Sequence, residues 1–208
     1  MTTPEHAMVG ICCVVAAGLD RRYGWQIAAM AGVAGASPDW DGITIVLGME
    51  TMDVAHRVWG HNLLIAAVVA AVWALVDYRW DVVTRMARGV GRLVTLPLEQ
   101  SQLTIRSAHR WPMACLWLAV AVAVAWIHLP SDMVVSGGEG LTDWQVRPWW
   151  PLDGAGYVFP CVSWGDPGLS ILFFSGLLAI VARPLWRQPT ACLTLLAALA
   201  YMAVRRAT

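Results

Sequence analysis

The chain has 208 residues, of which 58% are hydrophobic and only 13% charged, with a mean hydropathy of +0.58. A water-soluble domain carries about 25% charged residues, so this composition excludes an ordinary soluble protein and points to a membrane. Fourteen basic residues, all arginine, balance fourteen acids, and a chain with no net charge lacks the basic footprint that nucleic-acid binding requires.

Six apolar segments follow one another, at roughly 7–19, 24–37, 62–78, 112–128, 168–183 and 189–204. A membrane-crossing helix needs about 20 residues, with about 17 as the lower limit. The third and fourth segments meet that length, the last two border on it and the first two are short, which suits a hairpin partly shielded by protein. The small-residue run Ala31-Gly32-Val33-Ala34-Gly35-Ala36 favours close helix–helix contact. Glu5 and His6 stand where a signal peptide would have a positive region, so the first segment is expected to be retained. The five cysteines form no CxxC pair and four lie in or near apolar runs, where a thiol behaves as a small hydrophobe. No repeat or linker divides the chain. The expected architecture is an all-α, polytopic membrane helical bundle of five to six membrane segments in a single domain, 1–208.

Arginine placement sets the orientation, because basic residues accumulate on the cytoplasmic side. With the N-terminus outside, ten of the fourteen arginines face inward, while Arg57, Arg147, Arg205 and Arg206 face outward. The Arg205-Arg206 pair runs against the rule and leaves the crossing of the last segment open. The inner connection 79–111 carries Arg85, Arg88 and Arg92 among apolar residues, with Trp80 and Trp111 at its edges. It reads as a basic amphipathic helix on the anionic inner leaflet of a bacterial-type plasma membrane. The same threading puts His6, Asp39, Asp41, His56, His61, His128, Asp132 and Asp166 at the outer face and only His109 inside.

Acids and imidazoles at membrane-helix ends are costly to desolvate and mark function, and both types bind metals. His6 lies near the start of the first segment, as a ligand or as part of a frayed end. Pro38-Asp39-Trp40-Asp41-Gly42 closes the second segment; Pro38 and Gly42 favour non-helical backbone, and an extended chain would put both carboxylates on one side. Two such acids repel unless a cation lies between them or one is protonated, the alternative being a solvated Asx turn. In His56-Arg57-Val58-Trp59-Gly60-His61 the imidazoles converge only if the helix starts or breaks near Gly60. Arg57 is suited to hold an anion or a ligating carboxylate bidentately. His128-Leu129-Pro130-Ser131-Asp132 stacks imidazole and carboxylate at i and i+4 if the helix continues, and Pro130 threatens that continuity. Asp166-Pro167 has the form of an N-cap followed by proline at the first helical position, as well as that of an acid ligand.

Together with Trp149-Trp150-Pro151-Leu152, these elements in this order resemble the LexA-binding, inner-membrane-associated family of membrane-bound metal-dependent hydrolases. The resemblance covers about residues 5–185 and is most specific at His56-Arg57-Val58-Trp59-Gly60-His61-Asn62. Gly60 and Asn62 stand where the family has Thr and Ser, and Pro130 interrupts its usual aliphatic stretch. The resemblance implies a metal and a hydrolytic reaction more firmly than any substrate.

The expectation is therefore a metal-dependent hydrolase with its site at the outer membrane–water boundary. His6, Asp39, Asp41, His56, His61, His128, Asp132 and Asp166 are the candidate metal ligands, and Arg57 and Asp41 the candidate catalytic residues. Mixed oxygen and imidazole donors suit zinc first, then manganese or iron. The expected partners are the bilayer and a lipid substrate, a lipid phosphoester first, with amide and ester bonds left open. The alternatives are a non-enzymatic metal or ion pathway and a scaffold for a cytoplasmic protein. The middles of the third and fourth segments hold no ionisable residue, which speaks against a pathway.

Overall fold

A computed structural model describes residues 1–93, 110–137 and 144–207. Of the nine α-helices among them, eight fall on an expected apolar segment, its flank or the basic inner stretch, and the short helix Met49–Ala55 was not expected. They are α1 (Thr3–Ala16), α2 (Leu19–Tyr23), α3 (Trp25–Ala36), α4 (Met49–Ala55), α5 (Leu63–Trp80), α6 (Val82–Leu93), α7 (Trp111–Val134), α8 (Pro167–Ala182) and α9 (Arg187–Ala207). A 3₁₀ stretch, Ser37–Leu47, joins α3 to α4.

Three helical stretches are long and apolar enough to cross a membrane: Leu63–Trp80, Trp111–Val134 and Pro184–Ala207. At about 1.5 Å per residue they reach about 27 to 36 Å, against a hydrocarbon core of about 30 Å. The last segment, left open by its arginines, is thus one of the three. Arg205 is accommodated by Asp166, whose Oδ2 lies 3.4 Å from its Nη2. Helices α1 and α8 are apolar but shorter, at 14 and 16 residues.

Helix α3 packs on α1 and α7, α7 on α5, and α1 on the α8–α9 hairpin. Small residues set these distances. On α5 the ridge Ala66, Ala70, Ala74 is fully buried, and Ala114, Ala121 and Ala125 are buried on α7, as close approach of membrane helices requires. The ridge ends at the buried Asp77. Its Oδ2 accepts a hydrogen bond from Trp117 Nε1 at 3.1 Å, and its Oδ1 accepts one from Val83 N at 2.9 Å, which starts α6. Helix α6 is the described part of the expected amphipathic stretch; the rest of that stretch, with His109, lies outside the described residues.

Chain direction alternates, so the same ends meet. His6 near the start of α1, the residues after α3, those before α5 and the C-terminal turns of α7 share one end. Ser170 at the start of α8 joins Glu5 there at 2.6 Å. At the other end Gln188, opening α9, donates to Ala16 O at 3.0 Å, and Tyr78 donates to Arg110 O at 2.7 Å.

Candidate metal centre

Four pieces of backbone build the site. Helix α1 delivers His6 because α1 and α3 nearly touch: a Cβ on Gly35 would lie 2.7 Å from the His6 carbonyl oxygen. The 3₁₀ stretch delivers the two acids. It was expected to be extended with both carboxylates on one side; instead three residues per turn rotate Asp39 and Asp41 apart, which removes the expected repulsion. The imidazole of His61 lies between them, with Nε2 3.3 Å from Asp39 Oδ1 and Nδ1 3.0 Å from Asp41 Oδ2.

The break near Gly60 is present. Helix α4 ends at Ala55, and Arg57 takes a left-handed φ of 63°, turning the chain so that His56 and His61 both face Asp41. Gly60 is needed for contact: a Cβ there would lie 1.9 Å from Pro38 O, and its N–H donates to Asp41 Oδ2 at 2.9 Å. In this backbone the threonine usual in the resembling family has no room. Asn62 closes the loop. Its Oδ1 caps α5 by accepting from Ile65 N at 2.8 Å, while its Nδ2 donates to Val58 O and Trp59 O at 3.0 and 2.9 Å. This role was missed, although a capping residue directly before an apolar run is its usual signature.

Pro130 does not break α7, which runs on to Val134. His128 and Asp132 therefore stack one turn apart, with His128 Nε2 3.5 Å from Asp132 Oδ2.

The result is one convergent cluster. Around His61 Nε2 lie His128 Nε2 at 3.0 Å, Asp132 Oδ2 at 3.1 Å and Asp39 Oδ1 at 3.3 Å. His6 Nε2 joins through Asp132 Oδ1 at 2.9 Å, and its ring stacks on that of His128 at 3.4 Å. The ligand atoms of His6, Asp39, His128 and Asp132 lie within 4.8 Å of one another, as do those of Asp41, His56 and His61. These buried groups could hold a metal ion.

Tautomers follow from the partners. His128 Nδ1 lies 2.7 Å from the carbonyl of Gly35, which can only accept, so a neutral His128 presents the Nε2 lone pair to the cluster. Asp41 accepts from His61 Nδ1 in the same way, leaving His61 Nε2 facing His128 Nε2. Two lone pairs 3.0 Å apart repel unless a cation or a proton lies between them. Orienting imidazoles through their outer nitrogens by a carbonyl and a carboxylate is how metal-binding histidines are held. His6 Nδ1 and Asp39 Oδ2 are buried without a hydrogen-bond partner, so the cluster is incompletely satisfied by its own groups.

The charges agree. Burial alone would lower the His61 pKa, yet hydrogen bonds to Asp132, Asp39 and Asp41 hold it well above the ordinary imidazole value. Burial would raise the Asp41 carboxyl, and hydrogen bonds from His56 and His61 bring it down to about 2. Asp39 is likewise held below the usual carboxylate range, against its burial, by His128 and His61. A proton on His61 thus serves as the cation that the acids require.

Arg57, Asp41 and Asp166 are each held by protein partners, Asp41 within the second group that could hold an ion. Arg57 is buried and directed at protein: Nη1 donates to Ser136 Oγ at 2.8 Å, Trp144 O at 3.0 Å and Asp132 O at 3.3 Å, and Nε lies 3.5 Å from Asp132 Oδ2. It fixes the C-terminal turn of α7, where a cation also meets the negative end of the helix dipole. Asp41 stands behind His61 and His56, with both oxygens engaged. Asp166 belongs to neither group; it caps α8 by accepting from Gly168 N at 2.8 Å and accepts from Tyr201 Oη at 2.8 Å. Ser136 and the Trp144 carbonyl, which anchor Arg57, carried no sequence signal.

A family model described as YdjM inner membrane protein matches residues 1–208 of the chain. No curated protein and no solved structure matches it.

Proposed function

The chain belongs to the YdjM inner membrane protein family and is an integral inner-membrane protein, and we propose that it is a membrane-embedded metal-dependent hydrolase. One observation carries this reading: His61 Nε2 and His128 Nε2 face each other at 3.0 Å between Asp39 and Asp132, each ring tied down by its other nitrogen. His6, Asp39, His61, His128 and Asp132 would hold one divalent ion, zinc first by donor type. Such an ion would supply a Lewis acid and lower the pKa of water toward neutrality.

The chain's own residues supply the rest. Asp41 accepts from His56 Nδ1 at 3.0 Å, which leaves His56 Nε2 free to take and return a proton. The His56 side chain is 14% exposed whereas His61 is fully enclosed, so His56 can meet a substrate. A carboxylate behind an imidazole that reaches substrate is the usual arrangement for general acid–base work. Asp41 and Arg57 are positioning residues, the first for both imidazoles and the second for Asp132. The position of the site at the ends of membrane helices favours a lipid phosphoester as substrate, and the arginine distribution supports an outward-facing site.

The test is metal analysis of detergent-purified protein, followed by hydrolysis assays on phosphoester, ester and amide substrates with and without chelator. One transition-metal ion per chain and chelator-sensitive hydrolysis are expected. Two ions per chain would reassign His56 and Asp41 as ligands of a second site, and metal-free wild type would end the hydrolase reading.

A further inference from the structure

Between Asp41 and His56 the chain exposes an apolar surface that the fold leaves uncovered. Ile43, Val46 and Leu47 are 69%, 79% and 72% exposed, and Ile45, Met49 and Val54 are exposed with them. From Gly42 to Met49 no residue is charged. Six large apolar side chains on one short segment form a patch of the kind that marks a membrane or partner surface.

The flanks of this segment are the accessible parts of the site. Asp39 and His56, at either end of it, have side chains 11% and 14% exposed, whereas His6, His61, His128 and Asp132 are closed off. Among the described residues, the approach to the cluster therefore runs beside this patch. The 3₁₀ stretch packs against α5, whose uncovered side is Leu64, Val68, Val72 and Leu75. Leu64 lies in the first turn of that helix, so the patch continues the lipid-facing side of a membrane span. Trp40 and Trp59, beside the patch and the site, are also exposed, as aromatic residues at headgroup level are.

We infer that the segment Ile43–Met49 lies among phospholipid acyl chains at the site's end of the membrane, and that substrate reaches Asp39 and His56 sideways from that leaflet. The class of substrate follows from the surface: an amphiphile whose chains lie along Ile43, Val46 and Leu47 while its polar group turns inward. This deepens the hydrolase reading and rests on it for the entry step, whereas the lipid contact stands on the exposed surface alone.

The experiment has two arms. Full-length protein with a photoreactive benzoylphenylalanine at Val46, or as control at the exposed loop residue Asp153, is placed in nanodiscs of phosphatidylethanolamine and phosphatidylglycerol carrying radiolabelled acyl chains. Illumination should transfer several-fold more lipid label at Val46 than at Asp153. Equal transfer, or an adduct to a second copy of the chain or another protein, overturns the inference. In the second arm, the double variant Val46→Ser, Leu47→Ser should keep its metal and its turnover of a short-chain soluble phosphoester. It should lose about tenfold on a bilayer-embedded one, because only the remote apolar contact is removed. Loss of metal, or equal loss on both substrates, overturns the entry role. Lipid labelling without any hydrolysis in wild type would remove the hydrolase reading and leave the lipid contact in place.

Discussion

His61 is the residue on which the site turns, because both of its nitrogens are used. Nε2 faces Asp39, Asp132 and His128, while Nδ1 faces Asp41. Without a metal the ring satisfies all three acids only by holding a proton, which is why its pKa is raised. A metal must displace that proton, so affinity rises with pH and goes on rising above the ordinary imidazole pKa of about 6.5. Asp39 and Asp41, both lowered, are already ionised and add no slope there. Competition with a chromogenic chelator from mildly acidic to mildly alkaline pH should show log affinity climbing steadily with pH; a flat profile would contradict it. Asp41→Asn keeps the shape but cannot accept from both imidazoles. Metal affinity should fall about 10–100-fold, as for other residues that orient a ligand from behind, whereas His61→Ala should abolish binding. Equal affinity in Asp41→Asn would show that Asp41 does not orient His61.

At the scale of elements, the spacing of α1, α3 and α7 is what brings one imidazole from each neighbour to the cluster. Gly35 does two jobs at that crossing. Its missing side chain lets the His6 backbone approach, and its carbonyl orients His128. Gly35→Leu forces α1 away from α3, an overpacking that costs about 1–3 kcal/mol. The thermal midpoint should drop and metal content fall with it, while helical content by circular dichroism stays. Unchanged metal content would mean that His6 is dispensable. The sequence marked Gly35 only as part of a small-residue run and could not say that its carbonyl was the working group. The Pro38–Gly42 element was misjudged for a related reason. Proline and glycine announce non-helical backbone, but packing against α5 and α7 chose a 3₁₀ turn over an extended one. Pro130, expected to endanger the His128–Asp132 stack, sits inside a helix whose last turns are held by Arg57 through the Asp132 carbonyl.

For the whole molecule, alternating helices place every cluster residue at one end and the arginine-bearing α6 at the other. Single cysteines at the exposed positions Asp153 and Gly89, in a chain whose native cysteines are changed to serine, should react with an impermeant maleimide from opposite sides. Asp153 should be reached from the periplasmic side. Labelling of both from one side would refute the arrangement. Six apolar segments were legible, and their helices agree with them to within a few residues, because burial in lipid requires continuous helices whatever their neighbours do. The last segment was in doubt because the Arg205-Arg206 pair breaks the charge rule and because its apolar run borders on the length a span needs. The pairing of Arg205 with Asp166, 39 residues away, has no local signal.

By itself, then, the sequence determined that this is a helical membrane protein and which residue types gather at one end of it. Hydrophobic run length and helix-end position are local properties, written along the chain. The cap at Asp166 was likewise already legible in Asp166-Pro167. The other assignments were decided only by the tertiary structure. Asp41 stands behind two imidazoles, Arg57 holds a helix end, and His6 completes the cluster. Those roles depend on distances across helices, on a left-handed turn at Arg57 and on a backbone carbonyl that meets a ring from another element. None of these exists until the helices have packed.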